Sequence, residues 1–363
     1  MNAPASNIKF AGTKPNIAYV IDPRFPGGTS SAVARELRAV SKLVSPTVYA
    51  ISSNMFSGDT LAPPLVSAIE DLGLNVHWDP KQISADIVII HNPSFLKFQK
   101  TLGTTILANE LFVVTHENFL RPGGEDAFDV SLCLEQIDRA SLALRKTLAP
   151  ISPYNRTTVE HWFAKHQPLG NWSLLADDWF NICDFSFAPP TESPTDRRGR
   201  HSRAGFEKFP NLTNMDYCFP KHAESNVILG ADSLIDSKDS RRHWQLIPFR
   251  GIGVDQFFEL IDFMIYFTSP TWRESFGRVL AEAIAAGKVV ISDEQTASAF
   301  GGAIVSANPQ EVDGIVRQYV QNPKKYQNHV IKSQRQLEKF SVHAFQNFFV
   351  HSVTSECERQ ACY

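Results

Sequence analysis

Two doubly wound parallel α/β sheets in tandem are the fold class the sequence predicts, and three observations carry that prediction. Short apolar runs alternate with amphipathic stretches in the first half of the chain, the pattern of a parallel sheet flanked by helices. The same alternation begins again after an irregular, aromatic-rich passage. At roughly 150 residues per domain, 363 residues suit two compact domains better than one.

Taken in order, residues 16–21 (NIAYVI) read as a buried strand, and 31–43 as a helix with Val33, Leu37, Val40 and Leu43 at helical spacing. Strand signals follow at 47–52, 75–78, 86–90, 111–115 and 148–151, and helices are expected near 64–72, 94–102 and 134–147. Between Pro153 and Pro190 the periodicity breaks as Trp162, Trp172, Trp179 and Phe180 crowd together, which reads as the crossing between domains. The second series places strands at 226–229, 244–248, 263–268 and 288–292, and helices at 254–262, 276–286 and 309–321. A helical tail covers 323–353. The expected division is therefore 1–167 for the first domain, 168–335 for the second, and 336–363 for a helical segment returning toward the first. No internal repeat or low-complexity run interrupts this plan.

Composition narrows the function. Hydrophobic residues at 43% and charged residues at 20% supply two cores and argue against a disordered chain. Net charge is 35 − 38 = −3, so nucleic acid or anionic lipid could be held only by a local patch. Cys133, Cys183, Cys218, Cys357 and Cys362 are scattered without metal-ligand spacing, as expected of reduced thiols in a cytoplasmic protein. The opening residues lack the apolar run of a signal peptide, and no apolar stretch reaches membrane-spanning length.

Three segments carry chemistry. The turn after the first strand holds Gly27 and Gly28 and runs straight into a helix, where backbone amides offer an anion site; it lacks the G-x-G-x-x-G dinucleotide fingerprint. Residues 197–208 (RRGRHSRAGFEK) concentrate basic side chains in an otherwise slightly acidic protein, and read either as a solvated basic loop or as the holder of something anionic. Residues 269–287 (SPTWRESFGRVLAEAIAAG) run from a strand through a loop bearing Glu274 into a helix that opens at Gly277 and closes at Gly287. Glu282 lies eight residues beyond Glu274, about 80° net around a helix at 100° per residue, so both carboxylates can face the mouth of the sheet where open parallel sheets bind ligands. A Glu near a helix start also compensates the dipole, but Glu282 among mid-helix alanines has no such explanation.

This last segment resembles the Glu-x7-Glu signature of retaining GT-B glycosyltransferases of family four. Arg203 and Lys208 are similar to that family's Arg/Lys pair, and Gly27-Gly28 stands where the family has its glycine-rich loop. The resemblance implies two tandem Rossmann-like domains with a donor/acceptor cleft between them. It further implies that Arg203 and Lys208 neutralise a diphosphate, helped by the backbone amides of Arg278 and Val279. Glu282 would accept hydrogen bonds from ribose hydroxyls, and Glu274 would hold those of the transferred sugar. His116, after a first-domain strand, matches the family histidine beside the reacting sugar; a satisfied strand-end histidine is its structural reading, and His91 fits that structural reading better. Base contacts are expected near 248–251 by fold analogy.

The implied reaction moves a sugar from a nucleoside diphosphate sugar to an acceptor hydroxyl of a glycan, lipid-linked or small molecule, with retention and with no metal or other cofactor. No nucleic-acid partner is expected, and peripheral contact with the inner face of a membrane is compatible with the composition. The rival reading is a non-catalytic scaffold on the same fold, or a nucleic-acid binder using residues 197–208 with Phe206 and Phe209.

Overall fold

The computed structural model describes residues 14–25, 27–58, 60–166, 171–238 and 241–354, arranged in two compact units. Unit one comprises Met1–Leu120, Gly124–Ile182 and Phe340–Tyr363; unit two comprises Arg121–Gly123 and Cys183–Lys339. The expected change of domain at 167/168 falls outside the described residues; the compact units divide at Ile182/Cys183.

Unit one is built from β1 (Ile17–Ile21), α1 (Gly28–Val40), β2 (Pro46–Ala50), α2 (Pro63–Leu72), β3 (Val76–Trp78), β4 (Gln82–His91), β5 (Thr105–Thr115), α3 (Val130–Ala140), β6 (Ser141–Pro150), α4 (Pro153–His166) and β7 (Trp172–Leu174). Its strands pair in parallel in the order β3-β2-β1-β4-β5-β6-β7. The order reverses between β1 and β4, and ligands of such sheets bind beyond the strand ends at that point. All five side chains of β1 are buried, as a strand covered on both faces demands.

Unit two runs β8 (Arg197–His201), α5 (Leu212–Cys218), β9 (Ser225–Leu229), α6 (Asp232–Asp236), β10 (Gln245–Ile247), α7 (Val254–Glu259), β11 (Phe263–Tyr266), α8 (Arg278–Ala285), β12 (Val289–Ser292), α9 (Glu294–Ser298), β13 (Val305–Ser306), α10 (Val312–Gln321) and α11 (Pro323–Gln336). Its parallel order, β10-β9-β8-β11-β12-β13, places the switch between β8 and β11. After Lys339 the chain belongs to unit one again, with α12 (Val342–Phe348) followed by a π turn. There Phe345, Phe348 and Phe349 stand edge-on around the Trp179 ring, with centroids 5.5–6.2 Å away.

Both tandem sheets expected from the alternation are present, and four local readings are corrected. The helix expected at 134–147 ends at Ala140, because Ser141 onward pairs with β5 and the alternating SLALR run suits a strand. The helix expected at 94–102 is one 3-10 turn, Pro93–Leu96. The passage between Pro153 and Pro190 does hold the division at Ile182/Cys183, but its first part is regular rather than aperiodic, forming α4 and β7, whose aromatic residues Trp162 and Trp172 join the unit-one core. Most consequentially, residues 197–201 form the central strand β8 rather than a basic loop.

That strand is tolerable only because its arginines are paired. Arg198 is fully buried and bonds Asp196, Asp313 and the Cys218 carbonyl at 2.6–3.1 Å. Arg197 grips Asp262 through two bonds of 2.9 Å. Arg200, also buried, donates to the carbonyls of Phe267 and Lys208 and sets its guanidinium 4.6 Å from the centre of the Phe209 ring and 4.4 Å from that of Tyr266. Three of the basic residues in 197–208 thus serve the interior. Asp196, His222 and Asp313 offer ligand atoms within 4.8 Å of one another, yet both aspartates are spent on Arg198. Cys133, Cys183 and Cys218 are buried and form no disulfide among the described residues, and burial pushes the Cys133 and Cys218 thiols up to about 12, while Cys357 and Cys362 lie outside the described residues. No helix among the described residues is long and apolar enough to cross a membrane.

Candidate active site

At the switch point of unit two, the residues following β8 and β11 converge. Lys208, 5% exposed, places its Nζ 2.8 Å from Glu274 Oε1 and 3.4 Å from the centre of the Trp272 ring. The same carboxylate oxygen accepts the hydroxyl of Tyr266, the last residue of β11. Burial lowers the Lys208 ammonium below its ordinary range, and Glu274 opposes that only in part. Burial would raise the Glu274 carboxyl, but the charge and hydrogen bond of Lys208 and the Tyr266 hydroxyl together hold it below the usual range. Tyr266 is pushed well up by burial and by Glu274, so it remains a donor. An ammonium has three N–H donors, and Glu274 takes one of them.

Arg203 lies in the turn after β8, is 59% exposed and pairs with Glu207 at 2.9 Å. Exposed pairs of this kind are worth about 0–1 kcal/mol, so Arg203 can be recruited to an anion at small cost. Gly277 caps α8 with φ +82, a left-handed conformation that a side chain rarely adopts. It turns the chain so that Arg278 and Val279 head the helix, whose first amides lack intrahelical acceptors. Glu282, one turn further on, is paired with Arg278 at 3.0 Å. It opens onto a cavity of about 600 Å³ that is also lined by Asp255, Phe258 and Phe185. Neither Lys208 nor Glu274 lines that cavity.

The structure therefore joins Lys208 to Glu274, joins Arg203 to Glu207, and gives Glu282 separate surroundings. Tyr266, Trp272 and Arg200 are the functional neighbours that sequence reasoning passed over. Trp272 and Arg200 stood inside the quoted segments and Tyr266 inside an expected strand, but nothing local ties Arg200 or Tyr266 to Glu274 until β8 and β11 are known to be adjacent.

In unit one, Gly27 and Gly28 lead into α1 at the β1 end of the switch. Gly27 has φ −155, an extended backbone, but an added Cβ there would lie 2.8 Å from the Phe25 ring, whereas a Cβ at Gly28 would meet nothing within 4 Å. The approach to this turn is held by Asp22, buried and bonded to Arg24 at 2.8 Å and to the Ser53 hydroxyl at 2.6 Å. His116, one residue past β5, lies with its Nε2 3.0 Å from Nδ1 of His91, the last residue of β4. Burial, assisted by His91, holds the His116 imidazole well below its ordinary value.

Two seven- and six-stranded parallel sheets with helices between their strands define a two-domain Rossmann-like α/β protein. The chain is similar in structure to Anabaena HepE in complex with UDP-glucose, with TM-score 0.63 and 14% identity over 94% of this chain and 100% of that one. It is also similar to the lipopolysaccharide outer core galactosyltransferase WaaB in its apo form, with TM-score 0.57 and 13% identity over 94% and 99%. A third similarity is to an α-glucosyltransferase in complex with UDP-glucose and DNA containing an abasic site, with TM-score 0.53 and 10% identity over 95% and 98%. No family model and no curated protein matches the sequence. The fold is GT-B.

Proposed function

We propose that the protein is a retaining glycosyltransferase that moves a sugar from a nucleoside diphosphate sugar to an acceptor hydroxyl in glycan or polysaccharide biosynthesis. The observation that carries the reading is the Lys208–Glu274 pair at the unit-two switch point, flanked by Arg203 and the head of α8. A cation and a carboxylate meet there beside the cap of α8, a combination that suits a sugar diphosphate. UDP-glucose, bound by two of the similar proteins, is the first donor to try.

On this reading unit two holds the donor. Lys208 and Arg203 face the diphosphate, with the amides of Arg278 and Val279 placed to share its charge as the leaving group departs. Glu274 takes the sugar hydroxyls and Glu282 the ribose. The bond from the anomeric carbon to the diphosphate breaks, and a bond to the acceptor oxygen forms on the same face. The acceptor's proton passes to the departing diphosphate oxygen. His116 acts in unit one beside the reacting sugar, and the acceptor is a glycan, a lipid-linked sugar or a small molecule. Because the cations and amides already supply the positive field, no metal is needed.

The test incubates the full chain with UDP-glucose and a panel of acceptors, with and without EDTA, and reads the anomeric configuration of the product by NMR. Transfer with retention that persists in EDTA is expected. An inverted product, or turnover abolished by EDTA and restored by magnesium or manganese, overturns the corresponding part. If UDP neither binds nor raises the melting temperature the uridine donor is wrong, and if no member of a panel of nucleoside diphosphates does so the whole reading falls, since a ligand at 100 times its Kd stabilises by about 2.7 kcal/mol.

A further inference from the structure

The pair His91 and His116 is part of a longer buried chain of polar groups in unit one. His91 is wholly buried, stacked on Tyr19 at 5.6 Å and edge-on to Trp179 at 6.3 Å. Its Nδ1 meets His116, while its Nε2 makes no hydrogen bond and lies 3.6 Å from Glu36 Oε1. Glu36 projects from α1 into the same pocket and is 4% exposed. Its Oε1 accepts the Tyr19 hydroxyl at 2.8 Å, and its Oε2 accepts the Trp179 indole N–H at 2.9 Å. Burial and Glu36 both push the Tyr19 phenol well up, so it stays a donor. Two donors from different elements thus fix the carboxylate against His91.

The electrostatics of this chain select one arrangement of protons. A lone pair on His91 Nε2 would face a carboxylate oxygen at 3.6 Å, whereas an N–H there faces it favourably. With the proton on Nε2, Nδ1 of His91 is an acceptor. The 3.0 Å contact then requires His116 to donate from its own Nε2. That leaves His116 Nδ1 as a lone pair, and it makes no hydrogen bond among the described residues.

We propose that His91 is a positioning residue: with Glu36 behind it, it holds His116 in the neutral Nε2–H tautomer and so presents Nδ1 as an acceptor for a substrate hydroxyl. The low affinity of His116 for a second proton agrees with this, because an imidazolium would have no acceptor to offer. A neutral acceptor suits a sugar or acceptor hydroxyl and gives nothing to a phosphate or carboxylate. Placing that hydroxyl on a substrate sugar rests on the glycosyltransferase reading above; the tautomer does not.

The test labels the full chain with 15N-histidine and reads the ring nitrogens at neutral pH by two-bond 1H–15N correlation, with His116→Asn to assign the signals. Expected is a protonated Nε2 and an unprotonated Nδ1 on His116, with the preference lost to averaged signals in His91→Phe and in Glu36→Gln. A wild-type His116 protonated on Nδ1 or on both nitrogens overturns the proposal, and so does an unchanged tautomer in folded His91→Phe. Where UDP-sugar turnover is established, His91→Phe lowers kcat by on the order of 10- to 100-fold with the Kd for UDP unchanged. An unchanged kcat overturns the positioning role. Absence of turnover in the wild type counts against the glycosyltransferase reading alone, and the NMR arm still decides the tautomer.

Discussion

Lys208 and Glu274 are two opposite charges held 2.8 Å apart, and each bears on the other's affinity for a proton. Their pairing makes a prediction about acid. The carboxyl of Glu274 is held below its ordinary value of 4.5 in the folded protein, so the folded state binds its proton less readily than the unfolded chain does. The stabilisation is fully present above the unfolded value and is lost as pH falls through the folded one. Thermal melts of unit two over that acid range are expected to steepen in the wild type and to flatten in Glu274→Gln. At neutral pH the same variant leaves Lys208 buried without its partner and loses about 1–3 kcal/mol; a wild-type slope retained in the variant would place the acid sensitivity elsewhere. The two glutamates are also expected to separate functionally, since they stand in different surroundings. Glu282→Ala should weaken free UDP by about 1.5–3 kcal/mol, roughly 10- to 150-fold in Kd. Glu274→Ala should leave UDP affinity nearly intact while impairing transfer. Calorimetry on both folded variants decides, and equal effects on UDP would refute the division of roles.

β8 shows how an element can contradict its own composition. RRGRH is a poor strand on propensity and a poor interior on polarity, yet it occupies the centre of the unit-two sheet. Pairing of Arg197 with Asp262, and of Arg198 with Asp196 and Asp313, makes the burial affordable. Gly199, between Arg198 and Arg200, faces the opposite side of the sheet from those two, where an added Cβ would lie 2.5 Å from Ile261 Cγ2 and 3.0 Å from the Phe257 ring. Nothing larger than hydrogen fits between β8 and α7 at that point. Gly199→Ala is therefore expected to destabilise unit two by about 1–3 kcal/mol through overpacking. It should also displace the turn carrying Arg203 and Lys208, seen as weaker UDP binding. Unchanged urea denaturation would mean that α7 moves aside without cost.

The whole molecule has two cores, and the chain leaves the first before completing it. Phe345 arrives from the far end of the sequence, fully buried, and stands edge-on to Trp179 at 6.1 Å and Phe180 at 5.6 Å. Trp179 in turn holds Glu36, so the tail supports the polar chain that ends at His116. Phe345→Ala is expected to cost unit one about 3–5 kcal/mol, the usual price of removing a buried ring. Native-state hydrogen exchange reads this by element: amides of β4 and β5 should lose protection while those of β9 and β11 keep theirs. Loss of protection in both units would show that they unfold as one cooperative body.

What the sequence by itself determined is the alternation of elements, the two tandem sheets, and the segment 269–287 with its cap at Gly277, because these follow from periodicity and local backbone preference. Glu274 was recognisable from its spacing to Glu282 across a helix start, whereas Lys208 stood out of its basic segment only through the resemblance to the glycosyltransferase Arg/Lys pair. Tertiary structure alone decided that β8 is a strand, since five residues rich in arginine become one only when Asp262 and Asp313 arrive from 65 and 115 residues away to neutralise them. It alone decided that β6 begins at Ser141, where pairing with β5 outweighs helical spacing. The chain from Glu36 to His91 and His116 likewise draws on α1, β4 and the residue after β5, with Tyr19 and Trp179 fixing its far end. Local sequence encodes which hydrogen bonds a residue can make; which partner it meets depends on strand order, and strand order is set by the collective burial of two cores.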